Sequence, residues 1–308
     1  MKYTLILFLI VFAFFTGKIE PGQNQRPVVA FSFDDGNPND ILNYTGEAWN
    51  AAILAQLRQN NIQAVWFVSA KNLNNDKGKL LLKHWDDAGN LIANHTFSHI
   101  NFNDPETSIE KFENEILKCD SFIKGYTNYR KYFRFPYLKA GDTFAKKDSI
   151  LSFLKKNDYK QGWVTIDNSD WYINSRLIKR LKENPNADIK VYEEFYLNHI
   201  IDRARYYNEL SKEINHREIK HTVLLHFNLS SALFLNALID KFRNEGWEIQ
   251  NYSNVIQDTV YNFYPSAIPS EQSLIWMQAK QAGNFESRLR YPGEDGEFEK
   301  DKMDKAGL

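Results

Sequence analysis

Pro27-Val28-Val29-Ala30-Phe31-Ser32-Phe33-Asp34-Asp35-Gly36 is a β-branched and aromatic run closed by an Asp-Gly turn. Such a run reads as a buried strand that delivers two adjacent carboxylates at its C-terminal end. The rest of the chain alternates in the same manner. Residues 49–59 have helical periodicity, 62–68 form a second buried run, and 79–88 are helical with Gly89 placed to stop them. Residues 91–93 make a short third strand, and Asp104-Pro105-Glu106 has the form of a helix start, with the helix running towards residue 122. Strand-like runs at 132–135, 162–166, 222–227 and 247–252 follow, with helical patterns at 144–157 and 232–244 and a longer, charge- and tyrosine-rich helical insert over 172–219. Strands alternating with helices make a parallel sheet with right-handed crossovers, and seven such units around one core point to an α/β barrel more than to an open sheet.

Composition agrees with one such barrel. The chain has 308 residues, 43% hydrophobic and 25% charged, enough apolar mass for a large core. A net charge of -1 gives no electrostatic case for nucleic acid or an anionic membrane. Lys2 precedes an apolar run over 5–15, so residues 1–17 read as a signal peptide or short N-terminal anchor. The run is too short to span a bilayer comfortably, so no stable membrane span is expected after processing. Phe15-Thr16-Gly17 puts a bulky residue where a cleavage site prefers a small one, which leaves an uncleaved anchor open. Export to a periplasm, cell envelope or the exterior follows. The single Cys119 permits no intramolecular disulfide and falls in an amphipathic helical pattern, as a small core residue. The barrel is assigned to residues 27–252, and residues 253–308 to a C-terminal extension packing on it or trailing from it. Within that extension the run 289–295 reads as an ordered turn and the charged end beyond as a frayed terminus.

The chemistry sits in ordered blocks. In Asn94-His95-Thr96-Phe97-Ser98-His99 two histidines four residues apart would share one face of a helical turn and reach a single point. Imidazole nitrogen suits zinc and its neighbours. One of Asp34 and Asp35 can complete a two-histidine, one-carboxylate site with open positions, and the other can act as a general base; spacing alone does not say which. Arg134-Phe135-Pro136-Tyr137 offers an arginine that can pair with a carboxylate and draw its pKa down, and a stiff turn whose following N–H can face an oxyanion. Asp167-Asn168-Ser169-Asp170-Trp171 follows the fifth run. Leu224-Leu225-His226 ends the sixth, where apolar neighbours desolvate the histidine and a carboxylate can restore its basicity.

Each block also has an ordinary reading: a solvated Asp-Gly turn, a surface arginine beside a proline, a histidine pair on a solvated helix. His84, His199, His216 and His221 match no pattern and read as surface or structural. Asn94-His95-Thr96 spells a glycan acceptor, set aside because it lies within the metal site. Against the ordinary readings stands one fact: Asp34, Asp35, His95, His99, Arg134, Asp170 and His226 all fall at or just after the C-terminal ends of strand-like runs. That rim is where parallel barrels build active sites.

Taken together, Ser32 to Gly36, His95 to His99, Arg134 to Tyr137, Asp167 to Trp171 and Leu224 to His226 resemble the five ordered motifs of the polysaccharide deacetylases, carbohydrate esterase family four or NodB homology domain. The resemblance implies a distorted (β/α)7 TIM-like barrel and a metal-dependent hydrolase removing acetyl groups from an N-acetylglucosamine-type glycan or acetylated xylan. It implies Asp34 as base, Asp35, His95 and His99 as ligands of a divalent metal (Zn2+, with Co2+ or Ni2+ as alternatives), and Arg134 orienting the base. It further implies the Tyr137 backbone N–H as oxyanion donor and Asp170 positioning His226, the general acid. Ser32 stands where the family has threonine and Phe135 where proline is common; the segment 37–47 and the insert 172–219 are long, which bears on specificity. Two other readings keep the same barrel: a catalytically silent carbohydrate-binding relative, and an amidase acting on a small non-sugar amide.

Overall fold

A computed structural model describes residues 26–289 and 296–308. The signal or anchor segment at 1–17 lies outside the described residues, as does all of the 289–295 turn except Leu289. The strands are β1 (Val28–Asp35), β2 (Val65–Val68), β3 (Leu91–Asn94), β4 (Tyr129–Phe133), β5 (Lys160–Gln161), β6 (Lys220–His226) and β7 (Glu248–Ile249). Helices α1 (Gly46–Gln59), α2 (Asp76–Asp87), α3 (Ile109–Ile123) and α4 (Phe144–Lys156) separate the first five strands. Helices α5 (Asp170–Glu183) and α6 (Lys190–Asn215) form the insert before β6, and α7 (Leu229–Asn244) leads to β7. The extension carries α8 (Tyr252–Val255), α9 (Leu274–Ala282) and α10 (Glu297–Lys305).

All the strand pairings are parallel, in the order β5-β4-β3-β2-β1-β6. β1 is the spine. It pairs with β6 from Val28↔Lys220 to Asp34↔His226, and its upper half pairs with β2. β7 joins the foot of β1 at Val28↔Glu248 and Val29↔Ile249; because β6 occupies the other edge, β7 must lie beneath β2. The ring closes beyond β5. Ile166 pairs with Val223 of β6 through N–H bonds to the Thr222 carbonyl (3.0 Å) and from Leu224 (3.1 Å). Side chains stitch the same seam: the Thr165 hydroxyl accepts the Thr222 N–H at 2.8 Å, and the Thr222 hydroxyl donates to the Trp163 carbonyl at 3.0 Å. The expected distorted barrel of seven parallel strands is thus present. Four of its strands differ from expectation: β2 starts three residues later than the 62–68 run, β4 starts three residues earlier than the 132–135 run, β5 lies just before the 162–166 run, which keeps a single bridge at Ile166, and the 247–252 run is a strand only at Glu248–Ile249. Just after β5, Gly162 still donates its N–H to the Phe133 carbonyl at 2.7 Å, and its backbone passes so close to the Phe67 ring that a Cβ would stand 2.4 Å away.

Strand alternation decides what β1 presents. Phe31 and Phe33 point outward to the helices, meeting Phe242 of α7 and Trp85 of α2 edge-on at 5.7 and 5.5 Å. Ser32 and Asp34 point inward, where both meet Arg134. The helices are fixed at their starts by side chains that accept first-turn N–H groups: Thr45, Asn75, Ser108, Thr143 and Asn228. Cys119 is buried in the core, as expected. The charged end of the chain is not frayed. It forms α10, burying Met303 and Glu299 while Arg176 of α5 pairs with Asp304 at 2.6 Å. Among the described residues no helix is long and apolar enough to cross a membrane.

Candidate active site

His95 and His99 do not share a helix, contrary to the spacing argument. β3 ends at Asn94, and residues 95–100 turn with Thr96 at φ 65° and His99 at φ 56°. The turn is held by polar side chains rather than by a helical ladder. Asn94, fully buried, accepts the Thr96 N–H (2.9 Å) and donates to the Ile116 carbonyl (2.9 Å). The Thr96 hydroxyl accepts the His99 N–H at 3.1 Å, and Glu115 of α3 accepts both the N–H and the hydroxyl of Ser98 at 2.6 Å. Burial of Asn94 also closes the glycan-acceptor reading.

The two imidazoles nevertheless meet at one point with Asp35. Alternation along β1 would send Asp35 to the face opposite Asp34; its left-handed backbone, φ 77°, swings it back. Asp35 Oδ1 lies 3.1 Å from His99 Nε2 and 3.8 Å from His95 Nε2, and the three donor atoms lie within 4.8 Å of one another. Three observations show that these residues fit a divalent cation. His95 Nδ1 bonds the Arg134 carbonyl at 2.8 Å, and a carbonyl can only accept, so the ring proton sits there and Nε2 offers a lone pair to the centre. Asp35 Oδ1 is buried without a hydrogen-bond partner. Finally, burial drives both histidines towards the neutral form, while His99, His226 and His95 outweigh burial at Asp35 and keep it ionised. Neutral imidazoles and a carboxylate are the state that metal binding requires.

Asp34 stands beside this set, its Oδ2 3.7 Å from His95 Nε2. Arg134 Nη1 donates to Asp34 Oδ1 at 2.5 Å and to the Ser32 hydroxyl at 2.9 Å, while Nε donates to the Gly162 carbonyl at 2.8 Å. Its guanidinium lies over the Phe67 ring, 4.0 Å from the centroid. The contact to Asp34 is therefore made through a single nitrogen. Arg134 does not set the direction of the pKa. Burial raises the carboxyl against the opposing charges of Arg134 and His226, and the balance is a pKa of about 6.

His226 is the strand partner of Asp34, so both side chains enter the barrel at the same level. Its Nδ1 lies 2.6 Å from Asp170 Oδ1, and its own N–H donates to Asp170 Oδ2 at 2.9 Å. Asn228 donates to the same Oδ2 at 3.2 Å. Burial works against the imidazolium, but the Asp170 charge and hydrogen bond outweigh it, with Asp35 and Asp34 assisting, and the pKa rises to about 10. Tyr137 sits at φ 56° in the turn over Pro136–Leu138, and its N–H has no acceptor among the described residues. Its ring packs edge-on to His99 at 4.6 Å. Asp34, Asp35, His95, His99, Tyr137 and His226 line one cavity of about 390 Å³ together with Leu138, Asp167, Asn168, Trp171 and Leu224, and Arg134 and Asp170 stand behind it.

Residues 22–162, which carry Asp34, Asp35, His95, His99 and Arg134 to Tyr137, match the family model for polysaccharide deacetylase. Over these residues, just under half of the chain, the protein is similar to the polysaccharide deacetylases. The peptidoglycan-N-acetylglucosamine deacetylase of Bacillus cereus is 31% identical over 151 residues, 49% of this chain and 48% of that protein. The chain thus spans about half the length of the curated relative it matches. In fold it is similar to a CE4 family pseudoenzyme from Bacillus anthracis, at a TM-score of 0.52 and 17% identity over 77% of this chain and 67% of that one. A mutant of that pseudoenzyme with restored activity gives 0.53 at 18% identity, covering 77% and 70% of the two chains.

Every candidate residue singled out in the sequence lines the cavity or bonds a residue that does. Sequence reading missed its supports: Ser32 as an arginine acceptor, Asn94 and Glu115 holding the histidine turn, Asn168 and Asn228 around Asp170. Their one sequence signal is position, polar residues next to strand ends in otherwise apolar runs. His199 and His221 are structural and buried, as one of the two readings allowed.

Proposed function

We propose that the chain is a metal-dependent deacetylase that removes N-acetyl groups from a glycan of the N-acetylglucosamine type, outside the cytoplasm. One observation carries the reading: a carboxylate and two imidazoles able to hold a cation share a cavity with a buried carboxylate near pKa 6 and a carboxylate-paired histidine near pKa 10. The name of the Bacillus cereus relative supports the glycan class. The basic and then apolar start of the sequence supports export.

A divalent cation held by Asp35, His95 and His99 would polarise the acetyl carbonyl and make water a better nucleophile at neutral pH. Asp34, fixed by Arg134, accepts the proton that the attacking water loses. The Tyr137 N–H faces the oxygen on which negative charge develops. His226, protonated through its bond to Asp170, gives its proton to the leaving nitrogen, so that acetate and a free amine result. Zinc is the metal this donor set suits best, with cobalt or nickel as substitutes. The test is acetate release from N-acetylated chito-oligosaccharides, peptidoglycan and acetylated xylan, before and after chelation and with each metal restored. Release that is lost on chelation and regained with metal is expected. Metal-loaded protein that released no acetate from any of the three would overturn the reading.

A further inference from the structure

Helix α10, made from the charged end of the chain, reaches the cavity through an unbroken line of contacts. Its Glu299 is fully buried, and Oε2 lies 3.6 Å from Nδ1 of His199 on α6. On the other side of that ring, Nε2 accepts the Ser169 N–H at 3.0 Å. An N–H can only donate, so Nε2 carries no proton; the ring proton is on Nδ1 and faces the Glu299 carboxylate. Ser169 stands directly before α5, and its hydroxyl caps nothing; it is buried without a partner. The imidazole of His199 thus anchors the backbone directly before this helix start, beside Asn168 Oδ1, which accepts the Asp170 N–H at 3.0 Å. The next residue is Asp170, whose carboxylate holds both the ring and the backbone N–H of His226.

We infer that Glu299 and His199 are positioning residues for the Asp170–His226 pair, so that the C-terminal helix is a working part of the active site. The inference rests on the reading of His226 as the general acid. Glu299 selects the tautomer of His199, His199 fixes the backbone from which Asp170 projects, and Asp170 orients and charges His226. Stability alone gives little reason for such an arrangement, because a buried carboxylate and imidazole can commonly be exchanged for apolar groups without loss. Outer partners that set a histidine's tautomer and aim, by contrast, act on the group they orient by about tenfold or more. The charged groups around His199 are Glu299 and Lys302 from α10 and Glu194 and Asp202 from its own helix. Lys302 Nζ approaches Glu299 Oε2 at 3.2 Å. Those around His226 are Asp170 from α5 and Asp34 and Asp35 from β1.

The experiment compares full-length wild type with Glu299→Gln and His199→Phe. Histidine-labelled protein is titrated by NMR, with the His226 signal assigned from His226→Gln, and kcat and KM are measured against pH on one N-acetylated oligosaccharide. In variants that keep the wild-type circular dichroism, the His226 midpoint should fall by about one pH unit, equivalent to a tenfold weaker hold on its proton. The alkaline limb of kcat should move with it, while KM changes little. An unmoved His226 midpoint in a folded variant would overturn the inference, since loss of a merely structural prop lowers stability and leaves the titration alone. Should His199→Phe fail to fold, Glu299→Gln decides. If wild type released no acetate, the deacetylase reading would fail by itself, and the NMR midpoint would still judge the coupling.

Discussion

Asp34 and Asp35 are adjacent in sequence, yet their surroundings divide them: burial raises one, and neighbouring histidines hold the other ionised. On the proposed reading Asp34→Asn should lower kcat by about 10²–10⁴-fold, the usual worth of a proton transfer, and retain its metal. His95→Ala should lose the metal by elemental analysis; the opposite pattern in the two variants would exchange the roles of base and ligand. The pair at His226 has a sign that can be worked out. Asp170 raises this imidazole to about 10, the acid must be protonated to act, and activity should fall as pH rises through that value. In Asp170→Asn the supporting charge is gone, so the alkaline limb should move to lower pH in a profile of kcat/KM. These residues were legible because each closes a strand-like run, and polar groups there have no structural reason to gather. What sequence did not disclose was physical balance. It showed an arginine able to lower a carboxyl, but not that desolvation of Asp34 would outweigh it, nor that Asp35 would need a left-handed backbone to face the same point.

Among the elements, the seven strands were readable from apolar runs, and the histidine segment was misread for a definite reason. A spacing of four fits a helix, but a buried Asn94 and the Thr96 hydroxyl take up the N–H groups that a helix would use, and two left-handed residues bring the rings together instead. Gly162, just after β5, permits a test. A methyl group there would push on the Phe67 ring, over which the Arg134 guanidinium lies. Gly162→Ala should therefore destabilise the fold by about 1–3 kcal/mol in denaturant unfolding, the usual effect of overpacking. It should also lower kcat more than it raises KM, by disturbing the arginine that fixes Asp34. Wild-type stability and kcat in Gly162→Ala would show that the close approach is idle.

For the molecule as a whole, acid stability should depend on His221. This residue of β6 is fully buried between Thr165 and Asn208, and burial depresses it to about 3 from an ordinary 6.5, against Asp258, which raises it, and with Lys212, which lowers it. Above pH 6.5 neither the folded nor the unfolded chain holds this proton. Below it only the unfolded chain does, so the stability contributed by neutral His221 declines as pH falls towards 3, at about 1.4 kcal/mol per unit. Urea unfolding at pH 7 and pH 5 should show a smaller difference for His221→Gln than for wild type, and equal differences would refute the assignment. The extension is where the whole-molecule reading fell short: charge without evident periodicity suggested a loose end, whereas burial of Met303 and Glu299 makes it a packed helix. The seam between residues 163–166 and β6 has a consequence of its own. A continuous ladder can slide by two residues and keep every side chain on its proper face. The hydroxyls of Thr165 and Thr222 oppose such a slide, because each bonds the backbone of the facing segment at one height. The segments above the seam, one leading to Asp170 at the start of α5 and the other ending at His226, are thereby keyed to a single phase, and the Asp170–His226 pair inherits its alignment from two hydroxyl groups that lie outside the cavity.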